Sequence, residues 1–218
     1  MSKQIAIFGA GGFGKEVACL IKAINKTKQE EDKWEVIGFF DDGVGVGTEI
    51  SHFGKVLGGV EVVNGWERPL DVVIAVGSGK ILKLLSEKIT NPNIRFPNLV
   101  HPSVDVLDWE TFKMGKGNII QRNCTSSCDV IMGDFNVLNS AVQLGHDVML
   151  GSFNVMMPAV RISGAVRMQD QNFFGVGSIV LQCIKIGNGV KLGAGSVMMT
   201  KPKDGNLYMG NPARKIIV

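Results

Sequence analysis

Two hydrophobic rhythms divide the chain. Up to about residue 100, short apolar runs alternate with stretches whose apolar residues recur every three or four positions. Lys3–Phe8 reads as a strand, and Gly9-Ala10-Gly11-Gly12-Phe13-Gly14 reads as the turn that follows it. The spacing of Val17, Ala18, Leu20, Ile21 and Ile24 predicts a helix from Lys15 to about Lys26. Trp34–Phe40 and Asp71–Val76 are two further strands, and a helix is expected from about Lys80 to Ile89. Strands and helices alternating at these lengths predict a parallel sheet in an α/β domain.

Beyond residue 104 the helical period disappears and a period of six replaces it. Stepping by six from Met114 to Met198 meets fifteen residues, of which fourteen are apolar and only Ser126 is not. A longer period of 18 is nested in the first. It relates Asn118, Asn136, Asn154 and Asn172, also Gly115, Gly133 and Gly151, and also Phe135 and Phe153. Three hexads per turn predict a three-sided parallel β-solenoid that buries one large side chain per hexad and has compact residues at its corners. Residues 104–200 would supply roughly five coils at about 4.8 Å each. The expected division is therefore an α/β domain over 1–103 and a solenoid over 104–218.

Composition narrows the class. The chain has 218 residues, 28 of them Gly, with 45% apolar and 20% charged residues. The glycines lack the strict period of three of collagen, and the steady supply of Val, Ile, Leu and Met excludes disorder. No apolar run reaches membrane-spanning length and the first residues lack a signal-peptide cleavage pattern, so a cytoplasmic protein with no membrane partner is expected. The net charge of +3 resides entirely in the last 18 residues, where Lys201, Lys203, Arg214 and Lys215 face Asp204 alone. That is a local site for an anion or a solvated tail; it is too little charge, without interleaved aromatics, for a nucleic-acid partner.

Candidate chemistry is sparse. Gly9-x-Gly11-x-x-Gly14 is the glycine pattern that lets a backbone approach phosphate at a helix N-terminus, and Asp41-Asp42 stands about 30 residues further on, where a ribose contact or a strand-ending turn is expected. His146 follows the apolar ladder residue Leu144 by two places, near a corner, and is followed by Asp147. Imidazole is the side chain suited to proton transfer near neutral pH, and an adjacent carboxylate can orient it. Cys19, Cys124, Cys128 and Cys183 form no CxxC pair and no metal-ligand spacing with histidine, so no metal is expected.

The hexad ladder, closed by Gly210-Asn211-Pro212-Ala213-Arg214, resembles the left-handed parallel β-helix of the hexapeptide-repeat acyltransferases. With a Rossmann-like domain in front, the whole chain resembles the sialic acid O-acetyltransferase family and the bacterial UDP-4-amino-sugar N-acetyltransferases. The matching residues are Gly9 to Glu16, Gly38-Phe39-Phe40-Asp41-Asp42, Asn139 with Gly145-His146-Asp147, and Gly164. The resemblance implies an acetyl-CoA-dependent transfer to an amino or hydroxyl group of a free or nucleotide-linked sugar, in surface-glycan biosynthesis. It further implies a homotrimer whose acetyl-CoA sites lie between neighbouring prisms.

The same resemblance assigns roles. His146 is the catalytic base, Asp147 orients it and Asn139 lies near it. Gly164 and Ala194 contact acetyl-CoA through their backbones. Gly11, Gly12, Phe13, Gly14, Asp41 and Asp42 take a sugar nucleotide such as a UDP-sugar. Two departures stand out: Asp147 replaces a Glu of some relatives, and Val155 stands where some carry a second His. These departures motivate an alternative, a non-enzymatic sugar-nucleotide-binding trimer with a decayed acyl site. A third reading, an NAD-dependent redox enzyme, lacks a second domain suited to hydride transfer.

Overall fold

The computed structural model describes residues 3–217. They fall into two compact units, one running to Gly77 and including Ile81–Pro102, the other comprising Ser78–Lys80 and the chain from Ser103.

The first unit contains β1 (Lys3–Phe8), α1 (Gly12–Asn25), β2 (Trp34–Phe40), β3 (Val56–Gly58), α2 (Val60–Asn64), β4 (Leu70–Ile74), α3 (Gly79–Lys88) and β5 (Ile94–Arg95). Its five strands run parallel in the order β3-β2-β1-β4-β5. The core is made by Ile5, Ile7, Phe39, Phe40, Val72 and Val73 of the sheet and by the predicted face of α1, all of it buried. Each such aliphatic or aromatic side chain contributes roughly 1.5–3 kcal/mol on leaving water. The helix begins at Gly12 rather than Lys15, because the last glycines of the turn form its first turn. A Cβ on Gly14 would stand 2.0 Å from the Gly9 carbonyl oxygen, so only glycine lets the helix start this close to the strand. Short elements that carry little periodic signal, β3, α2 and β5, are absent from the sequence reading, and the strand expected over Asp71–Val76 lies at Leu70–Ile74.

The second unit is a three-sided parallel solenoid. One face stacks six strands, from Asp105–Val106 to Val197–Met198, and a second stacks five, from Lys113–Met114 to Lys185–Ile186. The third runs from Ile119–Ile120 through Lys191–Leu192 to Leu207–Gly210, on which Ala213–Lys215 folds back antiparallel. Ladder residues occupy the second place of each two-residue strand and point inward; Leu138, Met156, Ile162, Phe174, Val180 and Leu192 are among the buried ones. Val106 begins a coil that the count from Met114 misses, because Leu107–Phe112 makes the first hexad two residues longer than the rest.

The corners follow one rule. Every sixth residue from 117 to 195 has positive φ, including ten that are not glycine, such as Asn123 (60°), Phe135 (52°), Asp147 (58°) and Ala165 (56°). A left-handed residue with a Cβ costs about 1–2 kcal/mol. An inter-coil hydrogen bond of about 0.5–1.5 kcal/mol offsets much of it. From Phe135 onward the corner N–H donates to the carbonyl nineteen residues earlier, as in Phe135 to Lys116 (2.8 Å), Ala159 to Ser140 (2.9 Å) and Cys183 to Gly164 (3.0 Å), while in the first coils Asn123 and Asp129 donate to the hydroxyls of Ser103 (3.0 Å) and Thr111 (2.8 Å). Most solenoid glycines therefore do not serve positive φ. All of these but Gly164 directly follow the ladder residue, where a Cβ would strike the next coil: 2.6 Å from the Gly164 nitrogen for Gly145, and 2.5 Å from the Ala194 nitrogen for Gly175.

The repeated asparagines form a buried column. Asn118 Oδ1 accepts the Asn136 N–H (2.9 Å) and its Nδ2 (3.1 Å), Asn136 Oδ1 does the same for Asn154, and Asn154 Oδ1 for Asn172. Phe135 and Phe153 stack beside it with ring planes 5° apart. Two irregular hexads are accommodated: Ser126, the polar rung, donates to the Ser127 carbonyl (3.4 Å), and Gln169, which stands where the series Gly115, Gly133, Gly151 would continue, accepts on Oε1 from Asn188 Nδ2 (2.8 Å). Replacing Asn154 by Ala leaves the buried Asn172 N–H without its acceptor, so a loss of about 2–4 kcal/mol in unfolding free energy is expected, read from the urea midpoint.

Candidate active site

His146 lies on the corner that follows the strand Gln143–Leu144. Two inter-coil bonds hold this corner: the Asp147 N–H donates to the Cys128 carbonyl below (3.1 Å), and the His146 carbonyl accepts the Ala165 N–H from above (2.8 Å). With its backbone in the left-handed region (φ 58°), Asp147 brings Oδ2 to 2.7 Å from His146 Nδ1. Both side chains are about half exposed, at 50% and 61%. An ionised carboxylate only accepts hydrogen bonds, so in the neutral ring the proton sits on Nδ1 and the lone pair on Nε2.

That Nε2 faces Gly164. A Cβ built on Gly164 would lie 2.4 Å from Nε2 and 2.6 Å from Cε1, so the side-chain-free backbone of the next coil is what gives the imidazole its place. The Gly164 N–H has no acceptor among the described residues. The arrangement thus joins a carboxylate-oriented base to a spare backbone donor one coil away, the two elements needed to take a proton from a nucleophile and to polarise a carbonyl.

Asn139 and Ala194 lie elsewhere in the chain. Asn139 follows Val137–Leu138 and Ala194 follows Lys191–Leu192, both on the corner at the opposite end of the face that ends at His146. Asn139 is buried; its carbonyl accepts the Cys124 thiol (3.0 Å) and its amide meets Met157 Sδ at 3.7 Å. Ala194 is exposed, and its nitrogen packs against Gly175. Val155 is buried at 1% exposure.

In the first unit, Gly9 and Gly14 are held by close packing, whereas Gly11 and Gly12 face open space, with nothing within 4 Å of an added Cβ. Those two, with Phe13 in the first turn of α1, are the part of the loop a phosphate can approach. The aspartates have backbone partners. Asp41 accepts the Ala10 N–H on Oδ2 and the Gly43 N–H on Oδ1, both at 2.8 Å, which clamps the glycine loop to the end of β2. Asp42 Oδ1 accepts the Val60 N–H (2.8 Å) at the start of α2. Asp41 is thus committed to the loop, while Asp42 keeps one carboxylate oxygen with no hydrogen bond among the described residues.

The described residues hold no group of three or more His, Cys, Asp and Glu side chains able to bind a metal, and no helix long and apolar enough to cross a membrane. Cys124 is buried, and burial pushes its thiol up to about 11, so it stays protonated and unreactive at neutral pH.

The solenoid of hexads thus carries a histidine–carboxylate pair on one corner, and an α/β domain with an open glycine loop precedes it in sequence. Residues 4–89 match the family model of the PglD N-terminal domain. The acetyltransferase domain of PglB from Neisseria gonorrhoeae FA1090, solved also in complex with acetyl coenzyme A, is 27% identical, with a TM-score of 0.87 over 99% of this chain and 100% of that one. WeeI from Acinetobacter baumannii AYE (24% identity, TM-score 0.86, 99% and 100% covered) has the same fold. So does PerB from Caulobacter crescentus, solved in complex with CoA and GDP-perosamine (24%, 0.85, 98% and 97%). The family-model match and the PglB likeness support a hexapeptide-repeat sugar acetyltransferase family, and the solenoid is a left-handed β-helix.

One group of residues beside the corner went unread in the sequence. Thr125, Gln143, Gly145, Arg161 and Ser163 line a shallow groove of about 380 Å³ on the face that ends at His146. The spacing of 18 from Gln143 to Arg161 is the signal that aligns them, but outward positions carry no apolar periodicity to mark it. Among the cysteines, exposed Cys19 and Cys183 are expected to react first with a thiol reagent at pH 8, and Cys124 only on unfolding, as mapped by mass spectrometry of alkylated peptides.

Proposed function

We propose that the protein is an acetyl-CoA-dependent acetyltransferase acting on an amino or hydroxyl group of a nucleotide-linked sugar in glycan biosynthesis. The observation that carries this reading is the Asp147–His146 pair, with Nε2 turned toward the bare backbone of Gly164. The acetyl-CoA complex of the similar PglB domain supports the donor, and the GDP-perosamine complex of PerB supports a nucleotide-linked acceptor.

In this mechanism acetyl-CoA supplies the thioester. His146 Nε2 takes the proton of the acceptor nitrogen or oxygen as that atom attacks the carbonyl carbon. Asp147 stabilises the imidazolium that forms, and the Gly164 N–H receives the charge that develops on the carbonyl oxygen. As the carbon–sulfur bond breaks, the imidazolium returns its proton to the sulfur, which leaves as the free thiol of CoA. The open loop at Gly11, Gly12 and Phe13, at the N-terminus of α1, is suited to the acceptor's phosphates, and the free oxygen of Asp42 to a ribose hydroxyl.

The site requires a second copy of the chain. Asn139 and Ala194 share one corner, His146 and Gly164 the other, so a neighbouring solenoid must bring its Asn139–Ala194 corner against this one, as a cyclic trimer does. Lys201, 18 residues beyond Cys183 on the His146 corner, is then suited to the anionic end of acetyl-CoA. The proposed cellular setting is the cytoplasm. The intact base–carboxylate pair favours an enzyme over a sugar-nucleotide-binding module, even with Val155 in place of a second histidine.

A thiol-release assay with acetyl-CoA and a panel of amino-sugar nucleotides and sialic acids tests the reading. His146→Ala is expected to lower kcat by about 10²–10⁴-fold with the fold unchanged by circular dichroism. Gly164→Ala, which displaces the ring, is expected to lose about 100-fold. Near-wild-type turnover by His146→Ala with the true acceptor would refute the catalytic assignment.

A further inference from the structure

The solenoid face that ends at His146 lies between the two corners that meet neighbouring copies in the trimer proposed above. Three such faces therefore enclose the threefold axis, and the inference drawn here rests on that trimer. The outward side chains of this face, one per coil and in register, are Asp105, Thr125, Gln143, Arg161, Ile179 and Val197. Threefold symmetry turns each of them into a ring of three around the axis.

One ring is charged and has no counter-charge. The Arg161 side chain is exposed in the single chain and makes no ion pair or hydrogen bond among the described residues. Arg161 is the only charged residue from Met157 to Val166, the stretch that holds its strand and both flanking corners. The matching stretch of the next coil, 175–184, has no charged residue at all. In the coil before, 139–148, the only acid is Asp147, which faces His146. Asp105 stands three strands away on the same face, at about 14 Å.

The three guanidiniums must also come close to one another. One side of the prism is a hexad, which at about 3.3 Å per residue spans at most about 20 Å, so three sides joined at their corners put the middle of each about 6 Å from the axis. Arg161 opens the two-residue strand in the middle of its side. A charge taken out of water without a partner is costly, and like charges brought together add repulsion. One tetrahedral oxyanion on the axis answers both. Three of its oxygens share the symmetry of the three guanidiniums, and each can accept from one arginine fork. The rings of Ile179 and Val197 close the axis on one side with aliphatic groups, while Gln143 supplies neutral amide donors on the other. A substituent on the fourth oxygen would have to lie along the axis between these rings, which favours a free ion over the phosphate of a larger molecule.

We propose that the trimer binds one small tetrahedral oxyanion, phosphate or sulfate, on its threefold axis through Arg161 of all three copies, and that this ion ties the copies together.

Isothermal titration calorimetry of the whole chain, freed of phosphate and sulfate and held in sodium chloride at constant ionic strength, tests this with sodium phosphate and sodium sulfate in turn. The expected stoichiometry is one anion per three chains, and the tighter of the two ions identifies the ligand. Arg161→Gln removes three guanidiniums at once, so affinity is expected to fall more than about 100-fold. Arg161→Lys keeps the charge and loses the fork, and an intermediate affinity is expected. At an anion concentration about 100 times Kd, the wild-type Tm is expected to rise by about 2 °C and that of Arg161→Gln to stay unchanged.

A trimer on size exclusion that binds neither ion would overturn the proposal. So would binding of one ion per chain that survives Arg161→Gln, the result expected of the glycine loop. Both outcomes leave the trimeric acetyltransferase reading intact. A wild type that does not run as a trimer overturns the trimer and the axial site together, and thiol release from acetyl-CoA still judges the enzymatic reading by itself.

Discussion

Each solenoid coil is tied to the one before it by a corner residue in left-handed backbone conformation, whose N–H reaches a carbonyl nineteen residues back. The rest of the solenoid depends on that bond. It keeps successive strands in register, so that ladder residues meet ladder residues inside and the asparagines form one column. It also fixes the candidate chemistry. Asp147 is itself a corner residue, and the backbone conformation that joins its coil to Cys128 is the one that aims its carboxylate at His146. The residue that ties the coils also orients the imidazole, so His146 needs no separate support.

Glycine shapes both candidate sites, in opposite senses. At Gly14 and Gly145 it lets backbone approach backbone, and any side chain would push helix from strand or coil from coil. At Gly11 and Gly12 nothing stands nearby, and the missing side chain leaves room for an incoming group. Gly164 combines the two. It lies in the stack, yet the volume it gives up is filled by the imidazole of its own chain.

How far the sequence could be read depended on whether a residue's role repeats. The ladder was legible because burial recurs every six residues, and the face of α1 because its apolar residues recur at helical spacing. The coil begun by Val106 was missed because two extra residues before Met114 break the phase. Elements of two to five residues, such as β3, α2 and β5, leave too short a pattern to register. For Asp41 the sequence left a ribose contact or a strand-ending turn open; one oxygen makes the turn by holding the Gly43 N–H, and the other holds the Ala10 N–H, a long-range pairing that spacing does not encode. The nearness of His146 to Asp147 and Gly164 follows from the period of 18 once the corner is known. Asn139 and Ala194 showed their separation from that pair only when the faces were assembled.

The loop Leu107–Phe112 shows how the prism deals with length. Its extra residues leave the corner as a bulge, with Leu107 and Trp109 exposed, and the strands on either side remain paired in register. Heights along the axis are therefore quantised in steps of about 4.8 Å, and surplus chain is shed sideways rather than absorbed. A surface built this way works as a graduated scale. Two groups on one edge can be moved apart only by a whole division, so a ligand bridging them selects among discrete lengths. Divergence can alter what is written at each mark far more easily than it can alter the spacing between marks.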